Sequence, residues 1–243
     1  MKPTFLIIGV MKSSTTSAIG YFNQHPNIYI SWKELHFFNK NYSKGIDWYE
    51  KHFTDKSMAI GEKTPMYCFS RVALKRIKKH YPNIKLILFL RDPVTRAFSQ
   101  FNHMKQGTIK NGKKSPYFIN INHSIKDRIE IDKKKKRFRI PKTILQRGFY
   151  MDQINFILTL FPRQNLKIII HEHYIKDYFK INNELFTFIG VKPLTNIKYI
   201  HDHKRSYANT ITPSETNYLK KIYKVHNKQL FKFLGFKIKE WIN

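Results

Sequence analysis

Lys12 is followed by four consecutive hydroxyl residues, Ser13, Ser14, Thr15 and Thr16, and the apolar run at 5 to 10 stops just before them. A buried strand that turns into a helix through small hydroxyl residues offers unpaired backbone N–H groups and the positive helix end to an anion above it. The lysine adds a point charge, and the hydroxyls add donors that can follow equivalent oxygens. That chemistry suits a phosphate. The order of a nucleoside triphosphatase loop is absent, because Lys12 precedes the hydroxyls and no second glycine follows Gly9. The same residues also read as a Ser/Thr-rich helix cap beside a solvated lysine, and this stretch alone leaves both readings open.

A second corner has the same plan. "LFLRDPVTRAFSQFNHM", residues 88 to 104, is a buried strand ending in a charged turn, with Pro93 at a helix start. Arg91 stands at the carboxyl end of its strand, where open α/β sheets bind ligands. With Ser99 two turns into the helix it suits a second phosphate. The bland reading is an Asp92 surface pair with Arg91 or Arg96, worth little. Asp92 also imitates a magnesium-holding aspartate, which keeps a nucleotide kinase open as an alternative.

The elements that must position these residues follow from periodicity. "FLIIGV" at 5 to 10, "MAIG" at 58 to 61, "IKLILFL" at 84 to 90 and "LKIII" at 166 to 170 read as buried parallel strands. Residues 13 to 24 carry Ala18, Ile19 and Phe22 at helical spacing, and 70 to 80 place Val72, Ala73 and Ile77 inward with Lys75, Lys78 and Lys79 outward. Helices are also expected at 143 to 160, with Ile154, Ile157 and Leu158, and at 183 to 189 before Gly190. Thr212, Pro213 and Glu215 form a capping box for a last helix through Leu219, Ile222 and Leu230. Alternating strands and helices imply a doubly wound parallel sheet. Between 107 and 141 the chain is polar and includes "DKKKKRFR" at 132 to 139, which reads as a basic surface insertion.

At 243 residues the length suits one α/β domain, with two small domains as the alternative. The single cysteine, Cys68, forbids an internal disulfide and points to a reducing compartment. The first apolar run is too short for a signal peptide or a membrane span, so a cytoplasmic protein without a transmembrane segment is expected. The formal charge of +29 attracts anionic partners of several classes, nucleic acid among them, with "DKKKKRFR", Phe138, Phe149 and Tyr150 as a footprint. Solvated lysines explain much of that charge. His171 with His173 and His201 with His203 could seat a metal if they lie in strands, yet no acidic or cysteine partner has suitable spacing, and no metal is expected.

Four ordered stretches carry a resemblance, and with "LQRGFYMDQINFILTLFP" at 145 to 162 and the closing helix, which also fit, it covers nearly the whole chain. Lys12 to Thr16 resembles the 5′-phosphosulfate loop of sulfotransferases that use 3′-phosphoadenosine 5′-phosphosulfate (PAPS), and "RDPVTRAFS" resembles their 3′-phosphate motif. "KELHFFN" at 33 to 39 and "GEKTPMY" at 61 to 67 are similar to segments of the heparan-sulfate-type, carbohydrate branch. Three departures stand out: Ser14 where the family usually has glycine, Asn39 where aspartate is common, and "HDHKRSY" at 201 to 207 as only a rough match to the basic lid. The resemblance implies one P-loop nucleotide-hydrolase-like domain over 1 to 243, a three-layer αβα fold around a parallel sheet. It implies sulfuryl transfer from PAPS to a hydroxyl or amine acceptor, with adenosine 3′,5′-bisphosphate as product. It further implies Glu34 as base, with His36 orienting Glu34 or the sulfate, Lys12 neutralising the leaving group and Lys63 holding sulfate or acceptor. Ser13, Ser14, Thr15 and Thr16 are implied at the 5′-phosphate, Arg91 and Ser99 at the 3′-phosphate, and Lys204 and Arg205 in the lid. The acceptor it favours is a glycan or a small molecule, and an acidic one suits the basic run; nucleic acid is disfavoured.

Overall fold

The structure is a computed structural model that describes residues 1 to 54, 57 to 111, 124 to 134, 144 to 200 and 210 to 242. Its strands are β1 (Phe5–Gly9), β2 (Ile28–Ser31), β3 (Ala59–Lys63), β4 (Lys85–Leu90) and β5 (Leu166–Ile170). Its helices are α1 (Thr15–Phe22), α2 (Ile46–Glu50), α3 (Arg71–His80), α4 (Pro93–Asn111), α5 (Ile125–Lys134), α6 (Tyr150–Leu158), α7 (His171–Lys176), α8 (Tyr178–Phe188) and α9 (Pro213–Leu234). The chain divides into two compact units, Met1–Arg91 with Ile154–Lys204, and Asp92–Gln153 with Arg205–Asn243.

The first unit holds a five-stranded sheet in the order β2-β3-β1-β4-β5, with every pairing parallel. Alternate strand residues meet α1 and α8: Phe5 and Ile7, Ile28 and Ile30, and Ile87 and Phe89 pack with Ile19, Phe22, Leu185 and Phe186. The intervening residues Leu6, Ile8, Leu86 and Leu88 are equally buried, so the sheet is covered on both faces by flanking helices. Each such side chain contributes about 1.5 to 3 kcal/mol of burial. The connection after β1 runs toward β2, and the one after β4 runs the other way toward β5. A crevice therefore opens at the carboxyl ends of β1 and β4, where ligands of such sheets bind.

The second unit is helical, with Val94, Ala97 and Phe101 of α4, Ile125 and Ile129 of α5, and Leu219 and Tyr223 of α9 in one core. The expected capping box is present: the Thr212 hydroxyl accepts from the Glu215 N–H at 3.2 Å, and Glu215 accepts from the Thr212 N–H at 3.0 Å.

Several sequence expectations need correction. Val72 is 56 % exposed and Leu74 is buried in its place, because the inward stripe of α3 is 73, 74 and 77. Strand β2 went unread, since only Ile28 and Ile30 of its four residues are buried apolar ones. Helix α8 starts at Tyr178, five residues earlier than expected, because the Asp177 side chain caps it by accepting from the Lys180 N–H at 3.1 Å. The stretch read as a surface insertion contains the end of α4 and all of α5, whose Ile125 and Ile129 are core residues. Residues 135 to 139 of its basic run lie outside the described residues.

Candidate functional site

Strand β1 ends at Gly9, where a Cβ would lie 2.3 Å from Cys68 Sγ, so no larger residue lets β1 and the 67 to 69 turn approach. Beyond it, Lys12 at φ 75° and Ser14 at φ 56° adopt left-handed backbone before α1 begins at Thr15. Such alternation turns successive N–H groups toward one concavity, an anion-binding geometry. The Ser14 hydroxyl does not cap α1; it pairs with His171 Nδ1 at 2.9 Å. Ser13 is fully buried, and its Oγ has no hydrogen-bond partner. An orphaned buried hydroxyl in a loop of this shape fits a phosphate oxygen that completes it. Arg91, at the end of β4, donates from Nη1 to the Lys12 carbonyl at 3.1 Å and so ties the two strand ends together.

A carboxylate stands beside this loop. Glu34, in the segment after β2, is 36 % exposed and pairs with Lys63 Nζ at 2.8 Å through Oε1, while its Oε2 faces His36 Nε2 at 3.3 Å. Lys63, the last residue of β3 and only 6 % exposed, also donates to Thr16 Oγ1 at 3.3 Å. The ammonium thus bridges the carboxylate and the hydroxyl loop. Burial raises the Glu34 pKa, but hydrogen bonds from His36 and Lys63 and the Lys63 charge outweigh it and bring it down to about 2. The partner of Glu34 is Lys63, not the adjacent Lys33.

Two residue roles escaped the sequence reading. Glu62 is fully buried in β3 and accepts from Tyr49 Oη at 3.0 Å, Tyr67 Oη at 2.7 Å, Thr64 Oγ1 at 2.8 Å and the Leu35 N–H at 3.4 Å. The available signal was a pair of successive charged residues, Glu62 and Lys63, closing an otherwise apolar strand, since a buried carboxylate demands donors. His171 is the other surprise. It opens helix α7, where i and i+2 side chains diverge, so the His171 and His173 pair does not share a face as strand residues would.

Ser99 belongs to the second unit, as a buried hydroxyl of α4. Lys204 and Arg205 lie outside the described residues, as do His201 and His203. Among the described residues no group of three metal-ligating side chains comes together.

Comparison with known proteins shows the family. The family described as "Sulfotransferase domain" matches residues 2–232. The membrane-associated sulfotransferase kil1 of Dictyostelium discoideum is 36 % identical over 160 residues, covering 60 % of this chain and 34 % of that protein. Human heparan sulfate glucosamine 3-O-sulfotransferase 3B1 is 28 % identical over 204 residues, covering 83 % of this chain and 50 % of that one. The chain therefore spans half or less of the length of these curated relatives. A sulfotransferase from Alicyclobacillus acidocaldarius superposes with a TM-score of 0.81 over the whole of both chains at 23 % identity, which shows the fold: the P-loop-like αβα architecture.

Proposed function

From the premise that this chain belongs to the sulfotransferase domain family, we propose that it moves a sulfuryl group from PAPS to a hydroxyl or amine of a carbohydrate acceptor. One observation carries the reading: a single buried lysine joins the Glu34 carboxylate, at 2.8 Å, to the anion loop, at 3.3 Å from Thr16. Base and leaving-group cradle are thereby held side by side, as in-line transfer requires.

PAPS supplies a sulfuryl group already bound to a good leaving group, its 5′-phosphate. Ser13 to Thr16 hold that phosphate, and the orphaned Ser13 hydroxyl gains its partner. Arg91 and Ser99 are assigned to the 3′-phosphate, and Lys204 and Arg205 to the lid on sequence grounds. As the acceptor oxygen or nitrogen bonds to sulfur, its proton passes to Glu34 and the sulfur–oxygen bond to the 5′-phosphate breaks. Lys12 and the N–H groups of the loop take up the charge left on that phosphate. A carboxylate held near a pKa of 2 is a weak base. An anion on the loop draws the Lys63 charge toward Thr16, and Glu34 gains basicity as its own pair loosens.

The glycan half of the proposal has support in the two residues before Glu34. Trp32 is 62 % exposed and is followed by the exposed Lys33 immediately before Glu34. An open indole face with an adjacent cation suits a sugar ring that carries an anionic group. The heparan sulfate relative points to the same class of acceptor. The kinase and nucleic-acid readings gain nothing from the family.

The decisive experiment incubates the protein with radiolabelled PAPS and a panel of glycans, lipids and small alcohols. Transfer to a glycan is expected, and Glu34→Gln should abolish it while adenosine 3′,5′-bisphosphate binds with nearly unchanged affinity. Turnover retained in Glu34→Gln removes Glu34 as the base, and wild-type protein that neither binds the nucleotide nor transfers sulfate removes the activity.

A further inference from the structure

We propose that Glu62, which touches neither the anion loop nor Glu34, is a positioning residue that fixes the backbone beneath Glu34 and so keeps that carboxylate on Lys63. The proposal rests on the reading of Glu34 as the base. Successive residues of a strand point to opposite faces. Lys63 therefore reaches the α1 side and Thr16, while Glu62 points away from it, toward Tyr49 of α2 and Tyr67. Three consecutive residues of β3 and its end hold three consecutive residues of the facing segment: Lys63 holds the Glu34 side chain, Glu62 the Leu35 N–H and Thr64 Oγ1 the His36 N–H, the last at 3.3 Å. The next peptide, Leu35–His36, is also held at its carbonyl, where Asn41 Nδ2 donates to the Leu35 oxygen at 2.8 Å.

The chemistry of Glu62 is costly unless it serves this purpose. Among the described residues no cation lies within ion-pair distance of it, and full burial pushes its pKa up against four hydrogen bonds that draw it down. Replacing a buried polar network by apolar side chains of similar volume is commonly neutral or stabilising. An ionised carboxylate is an acceptor at every lone pair, which matches the four donors around it. Burial, and after it the Glu62 charge, raises the Tyr49 and Tyr67 phenols well above the usual range, so both stay protonated and donate at any working pH. A glutamine keeps the shape, but with its NH2 on the Leu35 side it meets the Leu35 N–H donor against donor, and that tether is lost.

The test compares Glu62→Gln with Tyr49→Phe, which removes a Glu62 hydrogen bond on the side away from Glu34, and with Thr64→Val, which removes the neighbouring tether. For each variant kcat, KM, urea stability, affinity for adenosine 3′,5′-bisphosphate and the Glu34 titration followed by carboxylate 13C NMR are measured. Expected for Glu62→Gln is a fall in kcat of about 10- to 100-fold, the scale of a small misplacement, with nucleotide affinity retained. Its Glu34 should titrate higher than about 2, toward the ordinary 4.5. Thr64→Val should show the same pattern more weakly, and Tyr49→Phe should lose stability with kcat kept. The proposal is overturned if kcat falls in all three only in proportion to lost stability, or if Glu34 titrates alike in wild type and Glu62→Gln. Should Glu62→Gln not fold, Thr64→Val decides by the same criteria. The NMR arm needs no acceptor, so wild type without transfer removes the proposed activity while the tether is still judged on Glu34.

Discussion

Three non-glycine residues around the site, Lys12, Ser14 and His36, hold positive φ, at 75°, 56° and 50°. Left-handed backbone costs an L-residue roughly 1 to 2 kcal/mol, and such strain persists where the surroundings enforce it. Ser14 stands where glycine is usual in the family it resembles, and it gains a hydroxyl bond to His171 in exchange. Two variants separate the effects. Both Ser14→Ala and Ser14→Gly lose that bond, but only glycine relieves the backbone, so the glycine variant should be the more stable by about 1 kcal/mol in urea unfolding. Equal stability would mean that the loop stores no strain there. Glu34 supplies a pH dependence. Its folded pKa of about 2 lies below the ordinary 4.5, so its stabilising contribution is complete above pH 4.5 and is lost as pH falls toward 2. Solvent screens a group this exposed, and the effect is correspondingly modest. The gap in urea midpoint between wild type and Glu34→Gln should shrink from pH 5 to pH 3; a constant gap contradicts the pair.

At the scale of elements, what could be read depended on whether the signal was local. The strand cores at 5 to 9, 85 to 90 and 166 to 170 and the capping box of α9 are local, written in runs and fixed offsets, and they stand as read. The hydroxyl loop and the Glu34 segment were legible as motifs, but their junction through Lys63 was not, because Lys63 and Glu34 are 29 positions apart and meet only through the pairing of β2 with β3. The Glu62 tethers were hidden for the same reason. Helix α5 was obscured differently. Its sequence is mostly charged, and Ile125 and Ile129, one helical turn apart, are the apolar residues among those with described burial that face the core. The Ile125 N–H also donates to Glu215 of α9 at 3.3 Å. Ile129→Ala should therefore cost about 2 to 4 kcal/mol in thermal or urea unfolding, as buried Ile-to-Ala changes do. A neutral result would return the segment to a surface insertion.

At the scale of the molecule, a formal charge of +29 acts on folding and on binding in opposite directions. Helix α9 shows the first. Lys221, Lys224, Lys228 and Lys232 are exposed, and no acidic residue follows Glu215 in the helix. Like charges at i, i+4 cost a few tenths of a kcal/mol each, and self-repulsion over the surface adds to this. Added salt shortens the Debye length from about 10 Å at 0.1 M to about 3 Å at 1 M and relieves that repulsion. The fold should thus gain about 1 kcal/mol, which at this size is about 2 to 4 °C in Tm. Association with an anion responds the other way, since steering toward a cationic protein weakens as the field is screened. Adenosine 3′,5′-bisphosphate should bind with an association rate that falls about tenfold or more between 0.02 M and 0.5 M salt, while its dissociation rate changes less. Stopped-flow binding and thermal unfolding in the same salt series give both quantities. Opposite slopes identify the charge as a steering field that the fold tolerates, whereas a flat association rate reduces the lysines to solvated surface.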